Sequence, residues 1–447
     1  MLSRLSLLLA SLLIGLLPAS VSAQAPDDDT VPLRTVLQDV LRDNPNVQTA
    51  ENEVEIAERN ASVGNAGFLP ELSVQARYNE TISDTDQQFQ GQDPQEISGA
   101  RTTNSGADAE LSWRVFDGLG RFATLNRLRA ERDAERQRAR STTEQLITDA
   151  ALAYYTVVSE QRQRDVLEAT VSVSEERVRI VELRNEVGSA SDLEVRQARV
   201  DLNADRSALL RQEATLESAK AELNRIRGRR TTATDFSVAD GIEIAEGLSV
   251  QGVQTSLQQA NPVLQQAESA LRAAEQERRA VQADRFPTLD ANLGYGVSRT
   301  DSESGFLQQS TSYDLTYGLS LQFPIFTGFE RRRQRQNAQV RIRNAELAVE
   351  DVESELLTVL TQAYAQYQKR MEVVALETDN LEMARANVEV ALEQFEVGDI
   401  SSIELREVQE QAVRAESDLV SARFSAKQAE LTLRELSGTI RTDLLGE

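Results

Sequence analysis

The residues of this chain that are best placed to do chemistry are carboxylates that follow two matching glycine turns. Each turn has a Val-Gly pair and then Ser-x-x-Glu, and the two sets lie 210 positions apart (398 minus 188): Val187, Gly188, Ser191 and Glu194, and then Val397, Gly398, Ser401 and Glu404. Ser-x-x-Glu is the capping box that starts a helix, so these glutamates have a structural interpretation beside a role in attracting cations. Glu407 lies one turn beyond Glu404 on the same helical face and has no capping role.

The composition excludes most catalytic and metal chemistry. The chain has no histidine and no cysteine, so it lacks the commonest general base, the thiol nucleophile and the soft metal ligands. We expect neither an enzyme nor a cofactor or metal site. The formal net charge is -24, which opposes binding to nucleic acid or anionic headgroups and favours cationic or neutral partners.

The chain contains a duplicated unit of about 200 residues. Asn44-Pro45 recurs 217 positions later as Asn261-Pro262, and Phe116-Asp117-Gly118 is matched 210 positions later by Phe326-Thr327-Gly328. A period of this length is typical of a duplicated half rather than of a solenoid repeat. From residue 33 onward the chain therefore divides into four parts: a first repeat at 33–228, a linker at 229–249, a second repeat at 250–440 and a C-terminal tail at 441–447.

The N-terminus has the pattern of a secretory signal peptide. Arg4 precedes an apolar run from Leu5 to Leu17, and small residues follow up to Ala23, as is typical of a cleavage site. The run is shorter than the roughly 20 residues that span a bilayer. We expect residues 1–23 to be removed on export and residues 24–32 to form a flexible mature N-terminus.

Four segments alternate apolar and polar side chains, which is typical of strands with one apolar face. In the first repeat the apolar positions run from Leu72 to Tyr78 and from Ala109 to Val115, and the polar stretch at 80–107 predicts a long solvated loop. The second repeat has the same alternation in two segments, at 288–298 and at 313–323. A strand that crosses the outer membrane needs about 9 to 11 residues, and each of the two segments of the second repeat has 11 residues.

Helical periodicity accounts for the rest of both repeats. It predicts a helical segment before each pair of strands and two long helices after it: 33–66, 118–186 and 191–227 in the first repeat, and 252–284, 329–396 and 401–436 in the second. A helix of some 65 residues is about 100 Å long. Helices of this length cannot be buried in a globular domain, so we expect them to pack along one another as coiled coils.

Four strands from one chain cannot close a barrel. Outer-membrane barrels need at least about eight strands, so the open edges must pair with other copies. Two copies give eight strands and three copies give 12, and a lumen wide enough for cargo favours three. A soluble sheet inserted in a coiled coil is the alternative, although each hairpin is too small to bury its apolar face alone.

The duplicated order of helix, paired strands and long helix pair resembles the TolC-type outer-membrane efflux protein family. The resemblance covers roughly residues 33–440 and includes the Asn-Pro sequences and the two Val-Gly turns. It implies a mixed α and β fold, mainly α: a homotrimer with a 12-stranded β-barrel in outer-membrane lipid, continued by a long α-helical tunnel through the periplasm. It also implies a passive exit duct of a tripartite efflux or type I secretion system, which docks to a periplasmic adaptor protein and an inner-membrane transporter.

The same resemblance implies a gate at the periplasmic tip. The family has acidic rings at a closed aperture, and the matching residues here are Glu194, Glu404 and Glu407, with Phe395 at the position of a gate-adjacent aromatic. Ile400 stands where a gate arginine can stand, and Phe395 lacks a tyrosine hydroxyl, which argues against a lock built from those two residues. The competing interpretation of the chain is a non-conducting coiled-coil structural protein of the cell envelope.

Overall fold

The computed structural model describes residues 30–88, 90–91, 93–239, 241–303 and 307–446. The expected signal peptide, 1–23, lies outside the described residues. The helices are α1 Leu33–Asp43, α2 Pro45–Asn60, α3 Gly120–Glu186, α4 Asp192–Ile226, α5 Val250–Ala260, α6 Pro262–Ala283, α7 Glu330–Val397, α8 Ser402–Ser437 and α9 Ile440–Leu445. The strands are β1 Thr30–Val31, β2 Glu71–Gln87, β3 Gln95–Phe116, β4 Ser237–Val238, β5 Thr288–Ser302 and β6 Gln309–Gln322.

Two strands from each repeat form one antiparallel sheet, in the order β2-β3-β5-β6. The register places the apolar residues of all four strands on one face, as a row of directly opposed residues illustrates: Val74, Ala109, Tyr295 and Leu315. Because side chains alternate between faces, the rest of the predicted apolar series lies on the same face. Strands β2 and β6 are the edges, and in the described part of the chain neither has a second partner strand.

The first hairpin is longer than its sequence pattern predicts. Strand β2 has 17 residues and β3 has 22, and their pairing continues past Thr81 and Thr102 to Gln87 and Gln95. The prediction of a solvated loop over 80–107 is therefore wrong. Side chains in this stretch are mostly polar on both faces, with isolated exceptions such as Ile82 and Ile97, so no regular alternation is visible, whereas the backbone hydrogen bonds of the ladder do not depend on side-chain type.

The opposite face of the sheet is polar and carries ion pairs between neighbouring strands. Arg77 lies 3.0 Å from Asp108, and Arg114 lies 2.9 Å from Asp290. A sheet with one apolar and one polar face suits a barrel wall between lipid and a water-filled lumen.

Each repeat continues from the sheet into a helical hairpin. Helix α3 has 67 residues and α7 has 68, so each is about 100 Å long at 1.5 Å per residue. Helix α4 packs along α3, and α8 packs along α7, as the coiled-coil interpretation predicts. Among the helices that the structure describes, none combines the length and the apolar character needed to cross a membrane.

An Asn-Pro sequence forms the same joint in both repeats. Asn44 caps α2, and its Nδ2 donates to the Ile226 carbonyl at the end of α4, at 2.8 Å. Asn261 caps α6, and its Nδ2 donates to the Leu436 carbonyl at the end of α8, at 3.0 Å. The joint fastens the end of each helical hairpin to the helix that leads into the strands.

Replacing Gly438 by Ala should disrupt the second joint. Gly438 follows α8 with φ of +69°, and a Cβ there would lie 2.6 Å from the Ala260 carbonyl oxygen. Gly188 has φ of +79° with open space around it, so Gly188→Ala carries the backbone strain alone, about 1–2 kcal/mol. We expect Gly438→Ala to lower the thermal unfolding temperature more, because the chain around Asn261 must also move. Equal losses in the two variants would show that the close contact contributes nothing.

The linker and the first residues that the structure describes meet beside the middle of α3. Strand β1, Thr30–Val31, pairs in parallel with β4, Ser237–Val238, so these two residues of the segment expected to be flexible at 24–32 are held in a sheet. Helix α9 occupies most of the expected tail, and its Ile440 and Leu445 are buried. They join a core with α1, α3 and α8 that includes Val36, Leu37, Ile147, Val158 and Leu431.

Candidate gate at the helix turns

The two helical hairpins end in turns that expose apolar side chains. Gly188 and Gly398 have φ of +79° and +87°, a left-handed conformation that favours glycine and ends the preceding helix. Four apolar side chains around the turns are each between 73% and 75% exposed: Val187, Leu193, Val397 and Ile403. Each turn therefore presents an apolar surface to solvent.

Both turns pass into the next helix through a serine cap, but only the second forms the complete capping box. Ser401 Oγ accepts from the Glu404 N–H at 3.3 Å, and the Glu404 carboxylate accepts from the Ser401 N–H at 2.7 Å. In the first turn Ser191 Oγ accepts from the Glu194 N–H at 3.3 Å, and the Ser191 hydroxyl donates to the Glu194 carboxylate at 3.1 Å. Each glutamate is thus held at the start of its helix, close to the turn.

The second turn carries two exposed carboxylates. Hydrogen bonds from Ser401, the backbone N–H first, lower the pKa of Glu404 below its ordinary value. Glu407 is exposed and has no hydrogen-bond or ion-pair partner among the described residues. Since Glu407 lies one turn beyond Glu404 on α8, the two carboxylates form an acidic pair beside the turn.

Phe395 packs inside the contact between the two hairpins. It is 1% exposed and clusters with Val181 of α3 and Leu405 of α8. The Arg184 guanidinium lies 4.2 Å from the centroid of the Phe395 ring, and Arg184 also donates a hydrogen bond to the Phe395 carbonyl. Ile400 packs against the same cluster. Positions 395 and 400 hold phenylalanine and isoleucine and not a tyrosine and an arginine. The two tips are joined here by the cation–π contact of Arg184, on α3, with Phe395, on α7.

An ion pair between α8 and α4 joins the hairpins a second time. Two nitrogens of Arg406 each lie 2.7 Å from an Asp205 carboxylate oxygen, and Arg406 Nε lies 2.8 Å from Glu410. The Ser174 hydroxyl of α3 donates to the same Asp205 carboxylate. Burial alone would raise the pKa of Asp205, but the hydrogen bonds from Arg406 and Ser174 hold it below its ordinary value. This bidentate geometry is the strong form of an arginine–carboxylate contact.

Arg184, Asp205 and the role of Arg406 were not predicted from the sequence. Arg196 is the counterpart of Arg406 in the first repeat, yet it is exposed and has no ion-pair partner in the part of the chain that the structure describes. The counterpart of Asp205 is Ala415, so the second repeat has no carboxylate to match. The sequence does contain one signal for this ion pair. Asp205 is an acidic residue on a coiled-coil helix, and its counterpart in the second repeat is alanine.

The two repeats match one known family separately. Residues 36–229 and residues 253–439 each match the family described as outer membrane efflux protein, and together these matches cover most of the chain. The chain belongs to the outer membrane efflux protein family.

One relative matches this efflux protein along most of its length, and solved structures share its fold. Outer membrane efflux protein BepC of Brucella suis biovar 1 is 21% identical over 422 residues, which cover 93% of this chain and 87% of BepC. The outer membrane protein VceC of Vibrio cholerae superposes with a TM-score of 0.70 at 16% identity, over 91% of this chain and 96% of VceC. The open state of the MtrE outer membrane channel of Neisseria gonorrhoeae gives 0.71 at 18% identity, over 91% of this chain and 88% of MtrE.

The family match and the shared fold confirm the resemblance described from the sequence. They also confirm the predicted fold class, a mixed, mainly α chain that supplies strands to an outer-membrane β-barrel and long helices to a tunnel. This efflux protein is a channel protein of the cell outer membrane with a periplasmic extension, and it is not an enzyme.

Proposed function

We propose that three copies of this efflux protein form a passive exit duct across the outer membrane. One chain supplies four strands with β2 and β6 as its edges. Because the strands alternate in direction, β6 of one copy can pair antiparallel with β2 of the next, and the ring closes without an edge. The continuous apolar face of the sheet carries this proposal, since a non-conducting structural coiled coil has no use for a lipid-facing surface.

Three copies account for a conducting lumen better than two. Two copies would give eight strands, and the interior of an eight-stranded barrel is just wide enough for side chains to fill. Three copies would give 12 strands, and the polar face with its pairs Arg77–Asp108 and Arg114–Asp290 would line a wider, water-filled space.

Cysteine crosslinking between β2 and β6 tests this assembly. The chain has no cysteine, so an introduced pair reports only the designed contact. We expect Val74→Cys, combined with Leu315→Cys or with Tyr317→Cys, to give covalent trimers for at least one pair on oxidation, because these residues lie on the same face of the two edge strands. Ala109→Cys with Tyr295→Cys is the control, since these residues are directly opposed within one sheet. A covalent dimer as the largest species would contradict a ring of three copies.

We infer that the tips form a closed acidic gate in this assembly. Three copies would place Glu194, Glu404 and Glu407 three times each around one axis, where the negative fields of the carboxylates add. The lowered pKa of Glu404 supports a charged ring near neutral pH. Phe395 supports the closed arrangement from inside each protomer, because it is buried between the hairpins.

The double variant Glu404→Gln/Glu407→Gln should weaken block of the channel by divalent or trivalent cations added from the tip side. Gln at position 404 keeps the capping box with Ser401, so the variant removes charge and preserves the helix start. Wild-type channels in planar bilayers should conduct little and prefer cations. The blocking cation should reach half-block of the wild type at a concentration about tenfold or more below that for the double variant, and a tenfold change corresponds to about 1.4 kcal/mol of binding free energy.

Glu355→Gln is the matched control for this experiment, because Glu355 is exposed on α7 far from the tip. It should leave selectivity and block as they are in the wild type. If the double variant also behaves as the wild type does, these glutamates only cap and solvate their helix, and the gate lies elsewhere.

We propose that the tips dock to a periplasmic adaptor protein, which connects the duct to an inner-membrane transporter. The four exposed apolar side chains around the turns support this, because exposed apolar clusters rimmed by polar residues mark interaction surfaces. The duct would serve a tripartite efflux or type I secretion system. The description of the relative BepC as an efflux protein favours the first.

A further inference from the structure

A cavity of about 320 Å³ lies between the two helical hairpins. All four long helices contribute to its walls, α3 and α4 from the first repeat and α7 and α8 from the second. Most of the wall surface is apolar, and its aliphatic side chains include Val166, Val173, Val388, Leu392 and Val413. A cavity of this size and lining suits a small organic molecule better than an ion.

The charged side chains at one end of the cavity already satisfy one another. Arg406 is paired with both Asp205 and Glu410, and Ser174 donates to Asp205. The other two charged residues of the wall are also paired, Arg414 with Glu410 and Glu416 with Arg385. An anion would have to displace a carboxylate from Arg406, and a cation would meet the guanidinium. The cavity therefore favours an uncharged molecule.

Gln409 is the unsatisfied polar group of this cavity. It is only 8% exposed and lines the cavity, and its Nε2 has no hydrogen-bond partner among the described residues. A buried amide donor without a partner is costly, and most buried polar groups in folded proteins have one. The Nε2 atom itself is closed to solvent, so the amide has to turn toward the cavity to meet a bound molecule, and a molecule that then brings an acceptor oxygen to Nε2 removes this cost.

We propose that this cavity binds a small, uncharged, mainly apolar molecule with one carbonyl oxygen, which accepts a hydrogen bond from Gln409 Nε2. The aliphatic wall takes the body of the molecule, and the side-chain amide fixes its orientation. Because the wall comes from both hairpins, the bound molecule stabilises the arrangement in which they are in contact. This site is separate from the turns and does not depend on the proposed acidic gate.

Photolabelling with benzophenone tests the site. Benzophenone is uncharged and apolar with a single ketone, and under near-ultraviolet light it attaches to C–H groups beside it. The full-length protein, assembled in lipid nanodiscs, is labelled over a range of benzophenone concentrations and analysed by peptide mass spectrometry. We expect saturable labelling of the segments 166–174 and 409–416, distinct from non-saturable labelling of the lipid-facing strands.

Two variants separate the hydrogen bond from the space. Gln409→Leu keeps an apolar wall but removes the donor, so half-saturation should rise about two- to tenfold, the effect of one hydrogen bond. Ala169→Trp, at the exposed edge of the cavity, should abolish labelling there by filling it. Gln411→Leu makes the same chemical change at an exposed position of α8 outside the cavity wall and should have no effect.

Labelling that does not saturate at the cavity segments would overturn the proposal. Labelling that persists in Ala169→Trp would do so as well, because the molecule would then be bound elsewhere. Equal half-saturation in Gln409→Leu and Gln411→Leu would remove the assigned hydrogen bond and with it the carbonyl specificity.

Discussion

Arginine in place of Leu293 should keep this efflux protein out of the outer membrane, whereas arginine in place of the adjacent Asn292 should be tolerated. Leu293 lies on the apolar face, opposite Leu111 on one side and Tyr317 on the other. Arginine on the lipid face costs about 2–4 kcal/mol at the bilayer midplane, and an assembly of three copies incurs this cost three times. Asn292 precedes it on the same strand, so its side chain points to the polar face, where water can hydrate a charge.

Fractionation of cells that express each variant gives the measurement, with the amount of assembled protein in the outer membrane as the readout. Leu293→Ala is the control for loss of packing, since it shortens the side chain and stays apolar. We expect Leu293→Ala and Asn292→Arg to assemble and Leu293→Arg to be degraded or to remain in the periplasm. Equal assembly of both arginine variants would mean that the apolar face does not meet lipid, and the structural coiled coil would become the better interpretation.

The strands could be predicted from the sequence only where one face of the sheet is apolar and the other face is polar. From Leu72 to Tyr78 one face is apolar and the other is polar, so the period of two is visible in the sequence. From Thr81 onward both faces are mostly polar, with only isolated apolar residues such as Ile82 and Ile97, so the ladder of backbone hydrogen bonds continues without a regular alternation of side-chain type. The sequence pattern therefore predicts the apolar parts of β2 and β3 correctly and wrongly predicts a loop where the two strands continue.

At the tip, the local contacts could be predicted from the sequence and the long-range contacts could not. The turn at Gly398 and the cap at Ser401 depend on residues three or four positions apart, so their sequence signals are sufficient. The contact between Arg184 and Phe395 joins helices of different repeats, and nothing within one turn of either residue indicates it. An aromatic side chain at a tip can either line a pore or pack between hairpins, and the sequence does not distinguish the two. The packing of α3 against α7 and α8 shows that Phe395 lies between the hairpins.

Replacing Arg406 by Met should raise the open probability of the channel. The pair with Asp205 is a bidentate link between the hairpins, and its two side chains are 19% and 10% exposed. Methionine keeps an apolar stem in place and removes the charge. The Asp205 carboxylate then loses both hydrogen bonds from Arg406 and keeps only the one from the Ser174 hydroxyl. Loss of a hydrogen bond to a charged group costs about 1.5–3 kcal/mol. If the hairpins separate on opening, the ion pair exists only in the closed state, so its loss destabilises the closed state alone. The open probability should then rise about tenfold or more.

Single-channel recording in planar bilayers measures this effect, with Arg196→Met as the matched control from the first repeat. Arg196 is exposed and has no ion-pair partner in the described part of the chain, so its replacement should leave the open probability unchanged. The double variant Arg406→Met/Asp205→Asn removes the uncompensated carboxylate as well. If the link between the hairpins holds the gate, the single and the double variants should both open, because both lack the link. If only the single variant opens, repulsion by the unpaired Asp205 is the cause, and the ion pair is not what keeps the tips together.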